Sequence, residues 1–129
     1  MIATHTLPNG LQLATEHVPG AASASMQLLV PAGSMRDTEH SDGCAALFLE
    51  MLFRGTKSLK SKELTHAFDC AGMQRMGGVG ARFVRLTATT TADRLEPAMQ
   101  LLLSLVMEPD FPETQLEASR ELCLQALAH

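Results

Sequence analysis

The segment 43–53, GCAALFLEMLF, constrains the fold of this chain more than any other stretch. Nearly every residue in it is apolar, so a helix formed here has almost no polar face to present to water. We therefore predict a helix that is buried on most sides, capped by Ser41 or Asp42 and ended by Arg54-Gly55-Thr56. Because one helix cannot cover itself, other layers of the chain must bury it.

Strand signals lie on both sides of this helix. Asn9-Gly10 is a strong hairpin signal between predicted strands at 2–7 and 11–18, and a third strand is predicted at 25–30. After the helix, residues 83–90 alternate between apolar and polar side chains, which is typical of a half-buried strand. The GGVG stretch before that strand is expected to be a flexible turn, since it lacks the Gly-Lys-Ser/Thr of a phosphate loop.

Helices follow the strands in pairs, which indicates an α+β fold with a mainly antiparallel, mixed sheet covered on one face by helices. One helix is predicted from Ser61 to Gly72, and another after Thr91. A last helix begins near Pro112 and reaches the final residue without a cap. The chain is therefore expected to be truncated, with residues 1–129 forming the N-terminal part of one domain. The predicted buried stripes are Leu64, Ala67, Phe68 and Ala71; Leu95, Met99, Leu102, Leu103 and Val106; and Leu116, Cys123 and Leu127.

Charge and hydropathy exclude several classes of function. The formal net charge is −4, and Lys57, Lys60 and Lys62 form the only basic cluster, so a nucleic-acid-binding surface is not expected. No apolar run reaches the roughly 20 residues of a membrane span, and the N-terminus lacks the basic and apolar segments of a secretory signal. We therefore expect a cytoplasmic protein.

The residues that could carry chemistry form no recognisable constellation. Cys44, Cys70 and Cys123 are widely spaced and each lies among apolar residues, so buried free thiols are expected, with a catalytic cysteine as the lesser alternative. No two histidines stand three or four residues apart, so no pair of histidines shares a helix face as metal ligands do.

Four motifs, taken together and in order, are similar to those of a known family. Residues 7–11 resemble an L-x-N-G-L hairpin, and residues 31–37 resemble an A-G-S-R-x-E turn. Residues 43–56 lie without a gap on G-x-A-H-F-L-E-H-M-L-F-K-G-T, and Phe111-Pro112-Glu113 with the helix after it resembles F-x-x-x-x-x-E-x-E-R. This order resembles the N-terminal part of the insulinase family of zinc peptidases, which includes pitrilysin, the mitochondrial processing peptidase and the core subunits of respiratory complex III. The resemblance implies a partial metallohydrolase domain like that of the processing peptidase.

The same resemblance implies a zinc site whose ligands have been replaced. In the family, H-x-x-E-H places two zinc-binding histidines one helical turn apart, beside a glutamate that activates the metal-bound water. The ungapped match puts Ala46 and Glu50 at the histidine positions and Leu49 at the glutamate position. The third ligand, a glutamate roughly eighty residues downstream in the family, falls at about Ala126, next to Gln125. We therefore expect neither zinc nor another cofactor.

A rival alignment keeps Glu50 as the glutamate by placing Phe48-Leu49-Glu50 on F-L-E. It requires an insertion and a deletion within one helix, which turns each intervening side chain by about 100°. It also supplies no histidine. In addition, the family often has N-A-x-T-x-x-E near the strand edge that pairs with substrate. Residues 80–85, GARFVR, contain no asparagine, so the resemblance does not extend to pairing with substrate by strand addition.

These departures favour a catalytically inactive family member that acts as the non-catalytic partner subunit of a peptidase. Its partner would be a catalytic insulinase-family subunit or a second copy of this chain, with a peptide held in the shared chamber. Two alternatives stay open. One is a structural assembly subunit like the complex III core subunits, and the other is an active metallopeptidase with a divergent site that uses Glu50 and His40.

Overall fold

The computed structural model describes residues 1–129, which form five strands and four α-helices in the predicted order, with one additional strand. The strands are β1 (Ile2–Thr6), β2 (Gln12–Glu16), β3 (Ser23–Val30), β4 (Gln74–Val79) and β5 (Val84–Thr91). The helices are α1 (Cys44–Leu52), α2 (Ser61–Cys70), α3 (Leu95–Met107) and α4 (Leu116–Leu127), and short 3-10 turns lie at Ser34–Arg36, Ala92–Arg94 and Glu113–Gln115.

The strands form two antiparallel sheets. β1 and β2 make a hairpin in which Ile2 lies opposite Glu16. At its turn the Leu7 N–H donates to the Leu11 carbonyl (2.8 Å), and the Asn9 side chain accepts from the Leu11 N–H (3.0 Å), as the Asn-Gly signal predicts. The other strands form a three-stranded sheet in the order β3-β5-β4, and every pairing is antiparallel.

The helices cover one face of the three-stranded sheet, which confirms the predicted α+β arrangement. Along β5, Val84, Leu86 and Ala88 are fully buried, whereas Arg85 between them is exposed. Leu29 lies opposite Arg85 on β3 and is exposed as well, so the second face of the sheet has no helical cover. The core between helices and sheet consists of Leu52, Leu64, Phe68, Met73, Leu86, Ala88, Ala98, Leu102 and Leu105.

Residues 77–79 of the glycine-rich stretch belong to strand β4, so the prediction of a flexible turn was wrong for them, and only Gly80 lies in the connection to β5. Gly77 pairs with Leu86 and Gly78 with Arg85 of the central strand, whose backbone supplies the hydrogen-bonding partner. A Cβ at Gly77 would lie 2.7 Å from a methyl carbon of Leu49. The glycine therefore lets helix α1 approach the sheet closely at this point.

Helix α1 is less enclosed than predicted. Ala45, Met51 and Leu52 are buried, but Cys44 and Ala46 are exposed. The prediction of burial on most sides was therefore wrong for the N-terminal turn of this helix.

The start of α1 also differs from the prediction. Neither Ser41 nor Asp42 caps it. The residue before the helix is Gly43, whose φ of +84° lies in the left-handed region that favours glycine. The Asp37 carboxylate, which lies further upstream, accepts the Ala45 N–H at 3.2 Å. A side chain from the preceding loop therefore satisfies a backbone donor in the first turn.

The buried stripe of α3 is rotated from the predicted one. Ala98, Leu102 and Leu105 are fully buried, whereas Leu95 and Met99 are exposed. The apolar residues of α3 are too many to mark one face, so contact with the sheet decides which of them become buried.

Replacing Gly33 with alanine is expected to lower the free energy of unfolding by about 1–3 kcal/mol. A Cβ at Gly33 would lie 2.5 Å from the Ala81 carbonyl oxygen. The Gly33 N–H donates to the Arg82 carbonyl (3.2 Å) and the Ser34 N–H to the Gly80 carbonyl (3.0 Å), so these two backbone segments are held together at the point of collision.

Urea unfolding of Gly33→Ala and of Gly78→Ala measures this effect against a matched control. A Cβ at Gly78 would meet only a guanidinium nitrogen of Arg85 at 3.9 Å. We expect Gly78→Ala to change the free energy of unfolding by less than about 1 kcal/mol. Equal losses in the two variants would contradict the close approach at Gly33.

Candidate functional site

The positions predicted from the family motif lie on α1 and α4. Ala46, Leu49 and Glu50 occupy one side of α1, because residues three and four apart share a helix face. Ala46 is exposed, and Leu49 and Glu50 are half-buried. Ala126 lies near the end of α4, where it is exposed, and α4 packs against α1.

Glu50 forms an ion pair with Arg54, which lies two residues beyond the end of α1. An Arg54 side-chain nitrogen (Nη2) donates to a Glu50 carboxylate oxygen at 2.7 Å. The Glu50 side chain is 36% exposed and that of Arg54 24%. Because water screens such a pair, its contribution to stability is about 0.3–0.5 kcal/mol. The chemical consequence of the ion pair is that the Glu50 carboxylate already has a cationic partner, the Arg54 guanidinium.

Cys123 lies on α4 beside this ion pair. Burial, and then the negative charge of Glu50, raise the pKa of the Cys123 thiol. A thiol with a raised pKa stays protonated at neutral pH and is a poor nucleophile and a poor metal ligand. The influence of Glu50 also shows that this part of α4, three residues before Ala126, lies near the side of α1 that carries Glu50.

Two buried polar atoms in this region have no hydrogen-bond partner. One is the Ser119 hydroxyl oxygen, on a residue with no exposed surface, and the other is the Arg54 Nε. Ser119 is the only fully buried residue of α4, whereas Leu116 and Leu127 of the predicted stripe are exposed. The contact between α1 and α4 therefore contains more polar groups than the apolar stripe predicts, and two of these groups have an atom without a hydrogen-bond partner.

These residues do not fit a zinc ion. Ala46, Leu49 and Ala126 carry no donor atom, and Glu50 is engaged by Arg54. Nowhere in residues 1–129 do three or more His, Cys, Asp or Glu side chains converge in a way that could hold a metal. His40, the other residue considered for a divergent site, is exposed in the loop before α1.

Sequence reasoning missed the partner of Glu50 and misplaced two of the three thiols. The four-residue spacing of Glu50 and Arg54 at the end of the predicted helix was a sufficient signal for their ion pair. Cys44 and Cys70 are exposed, so the prediction of buried thiols was wrong for both, and Cys123 is half-buried. Cys44 begins α1 and Cys70 ends α2, and helix ends are less covered than helix centres.

An open apolar cavity lies on a different side of α1. It has a volume of about 470 Å³ and lies between α1 and the start of α4. Leu47 and Met51 contribute from α1, Phe111 from the loop and Leu116 from α4. This cavity holds no cluster of catalytic side chains. No helix of the structure has the length and apolar character needed to cross a membrane.

Comparison with known sequences identifies the family. Residues 12–129 match the family described as Insulinase (Peptidase family M16). A protein named an uncharacterized zinc protease in Mycobacterium leprae is 31% identical over 124 residues, and a probable mitochondrial-processing peptidase subunit beta of Schizosaccharomyces pombe is 28% identical over 122 residues. Each match covers 95% of this chain but only 28% and 27% of the respective relative. The chain therefore spans less than a third of the length of these proteins.

Solved structures share the fold. The peptidase M16 inactive domain from Pseudomonas fluorescens superposes with a TM-score of 0.85 at 21% identity, covering 95% of this chain and 30% of that one. Pitrilysin superposes with a TM-score of 0.83 at 22% identity, covering 93% of this chain and 13% of that one. The arrangement of a helical layer on an antiparallel sheet is thus that of M16 peptidase domains. From its sequence match and its fold, this chain belongs to the insulinase family, peptidase family M16.

Proposed function

We propose that this chain is a catalytically inactive insulinase-family domain and acts as the non-catalytic partner of a catalytic subunit of the same family. One observation carries the proposal. On the helix that aligns with the family's H-x-x-E-H, the corresponding side chains are Ala46, Leu49 and Glu50, and Glu50 is bound by Arg54 at 2.7 Å. These side chains do not supply the ligands that a zinc ion needs. They also supply no free base that could activate a water molecule.

The packing of α1 on α4 supports the ungapped alignment. Glu50 lies near Cys123, which precedes Ala126 by three residues, so this alignment brings the proposed ligand positions of the two helices to one region. The rival alignment places the first histidine at Leu47, which lines the apolar cavity together with Leu116 at the opposite end of α4. A ligand at Leu47 would therefore lie far along α4 from Ala126.

The exposed apolar surface supports a partner. On α4, Leu122, Leu124 and Leu127 are 45%, 57% and 83% exposed. Leu124 and Leu127 stand three residues apart on one helix face, and such a surface is typically covered by a second chain or by another part of the same protein. The Schizosaccharomyces pombe relative is named a subunit of a processing peptidase, which agrees with a role in a heteromeric peptidase.

Native mass spectrometry of the protein isolated from its own cells tests this proposal, together with cleavage of a quenched fluorescent peptide. We expect this chain in a complex with a second protein that carries an intact H-x-x-E-H. We expect no cleavage by the purified chain alone, and faster cleavage by the complex than by the second protein alone.

Each alternative gives a different result. Cleavage by the chain alone, abolished in Glu50→Gln, would establish an active peptidase with a divergent site and overturn the proposal. A stable complex that contains no H-x-x-E-H protein and cleaves no peptide would also overturn it, in favour of a structural assembly subunit. Release of the Glu50–Arg54 ion pair alone is not expected to impair folding, because a partly exposed pair within reach of water is worth less than about 1 kcal/mol.

A further inference from the structure

His66 and Cys70 lie one helical turn apart on α2, and both side chains are exposed. The Cys70 sulfur is 3.4 Å from the His66 Nε2. In a tetrahedral zinc site, Zn–S bonds of about 2.3 Å and Zn–N bonds of about 2.0 Å place the sulfur and the nitrogen about 3.5 Å apart. The two atoms are therefore already separated by the length of one edge of such a tetrahedron.

We propose that His66 and Cys70 form half of a site for a thiophilic divalent cation such as Zn²⁺, and that a second copy of this chain completes the site with the same two side chains. Within one chain no third His, Cys, Asp or Glu joins them, and two protein ligands are too few for a closed site. Two copies related by a twofold axis supply two thiolates and two imidazoles, which is a complete tetrahedral set.

The local structure is compatible with this role. Both residues lie in the last two turns of α2 on its exposed side, so no other element covers them. An Arg94 side-chain nitrogen (Nη1) donates to the Cys70 carbonyl at 3.0 Å. This hydrogen bond holds the end of α2 in place and engages the Arg94 guanidinium with the backbone. On metal binding each thiol gives its proton to water as the sulfur–metal bond forms, so two protons leave per metal and two thiolates balance its charge.

This pair is separate from the positions of the family zinc site. His66 and Cys70 belong to α2, whereas Ala46, Leu49 and Glu50 lie on α1 and Ala126 on α4. The inference therefore does not depend on whether the chain is a non-catalytic partner subunit. It also means that zinc found with the protein does not by itself indicate a peptidase site.

Titration of the purified, reduced chain with zinc chloride and cobalt chloride tests the site. We expect dimers containing one metal per two chains in native mass spectra, sulfur-to-cobalt charge-transfer absorption, and release of about two protons per metal. Cys70→Ser and His66→Asn are expected to weaken metal-dependent dimerisation at least about tenfold. Cys44→Ser is the matched control, because Cys44 is the other exposed cysteine and lies on α1.

Three results would overturn the inference. The first is a chain that stays monomeric at every metal concentration, as it would if the contact were only a thiol–imidazole hydrogen bond. The second is one metal per chain without association. The third is metal-dependent dimerisation that persists in Cys70→Ser. Because both side chains are exposed, circular dichroism of each variant is expected to match that of the parent chain, and this distinguishes lost binding from lost folding.

Discussion

The variant Ala46→His, Leu49→Glu, Glu50→His and Ala126→Glu is expected to gain one zinc ion per chain, with an affinity at least about a hundredfold above that of the parent chain. The first three substitutions put two histidines one turn apart on α1 with a glutamate between them, and the fourth adds a carboxylate on the packed helix α4. Two histidines and one carboxylate form a recognised zinc ligand set with one open position.

The experiment is made in the Cys70→Ser background, so that metal bound at the α2 pair does not contribute. Competition with a chromophoric chelator gives the affinity, and native mass spectrometry gives the number of metals. The gain is expected to be in binding.

A matched control moves the last ligand by one residue. Gln125→Glu in place of Ala126→Glu turns the carboxylate by about 100° around α4. We expect this control to bind zinc at least about tenfold more weakly than the Ala126→Glu variant, because zinc requires a close tetrahedral geometry. Equal affinities, or no zinc in either variant, would show that the family site is not formed by these positions.

The fold was predictable where the signal is local. The Asn9-Gly10 turn and the alternation of β5 each depend on neighbouring residues, and the structure confirms both. β4 was not predictable in this way, because Gly77 and Gly78 have no strand preference of their own and their pairing partner lies on β5. Its assignment as a strand requires knowledge of the sheet, which no local pattern contains.

The residues of the candidate site also differ in whether a local sequence pattern predicts them. Spacing along one helix was enough to place Ala46, Leu49 and Glu50 on a common face, and an i to i+4 search over His and Cys together would also have found His66 with Cys70. The polar residue type of Ser119 gives no signal of burial. Ser119 stands three residues after Leu116 and four before Cys123, on the face of the predicted apolar stripe, and its full burial comes from the packing of α4 on α1.

Phe68→Ala is expected to lower the free energy of unfolding by about 3–5 kcal/mol. Phe68 is the largest side chain with almost no exposure, at 1%, and it is one of the buried residues that join α2 to the sheet. Its ring lies 6.4 Å from that of Phe53, and the guanidinium carbon of Arg75 lies 4.3 Å from its centroid. Truncation removes all of these contacts and leaves a cavity that the surrounding residues cannot fill.

Such a loss is a large part of the roughly 5–15 kcal/mol that stabilises an ordinary domain, so the variant is expected to unfold at much lower urea concentration. Phe83→Ala is the control, because the same ring is removed at a site that is 40% exposed, and we expect a loss below about 1 kcal/mol. Similar midpoints for the two variants would mean that burial of Phe68 does not hold α2 on the sheet. The His66–Cys70 pair would then lie on a helix that is not firmly attached, and the 3.4 Å separation of its two ligand atoms would not persist in solution.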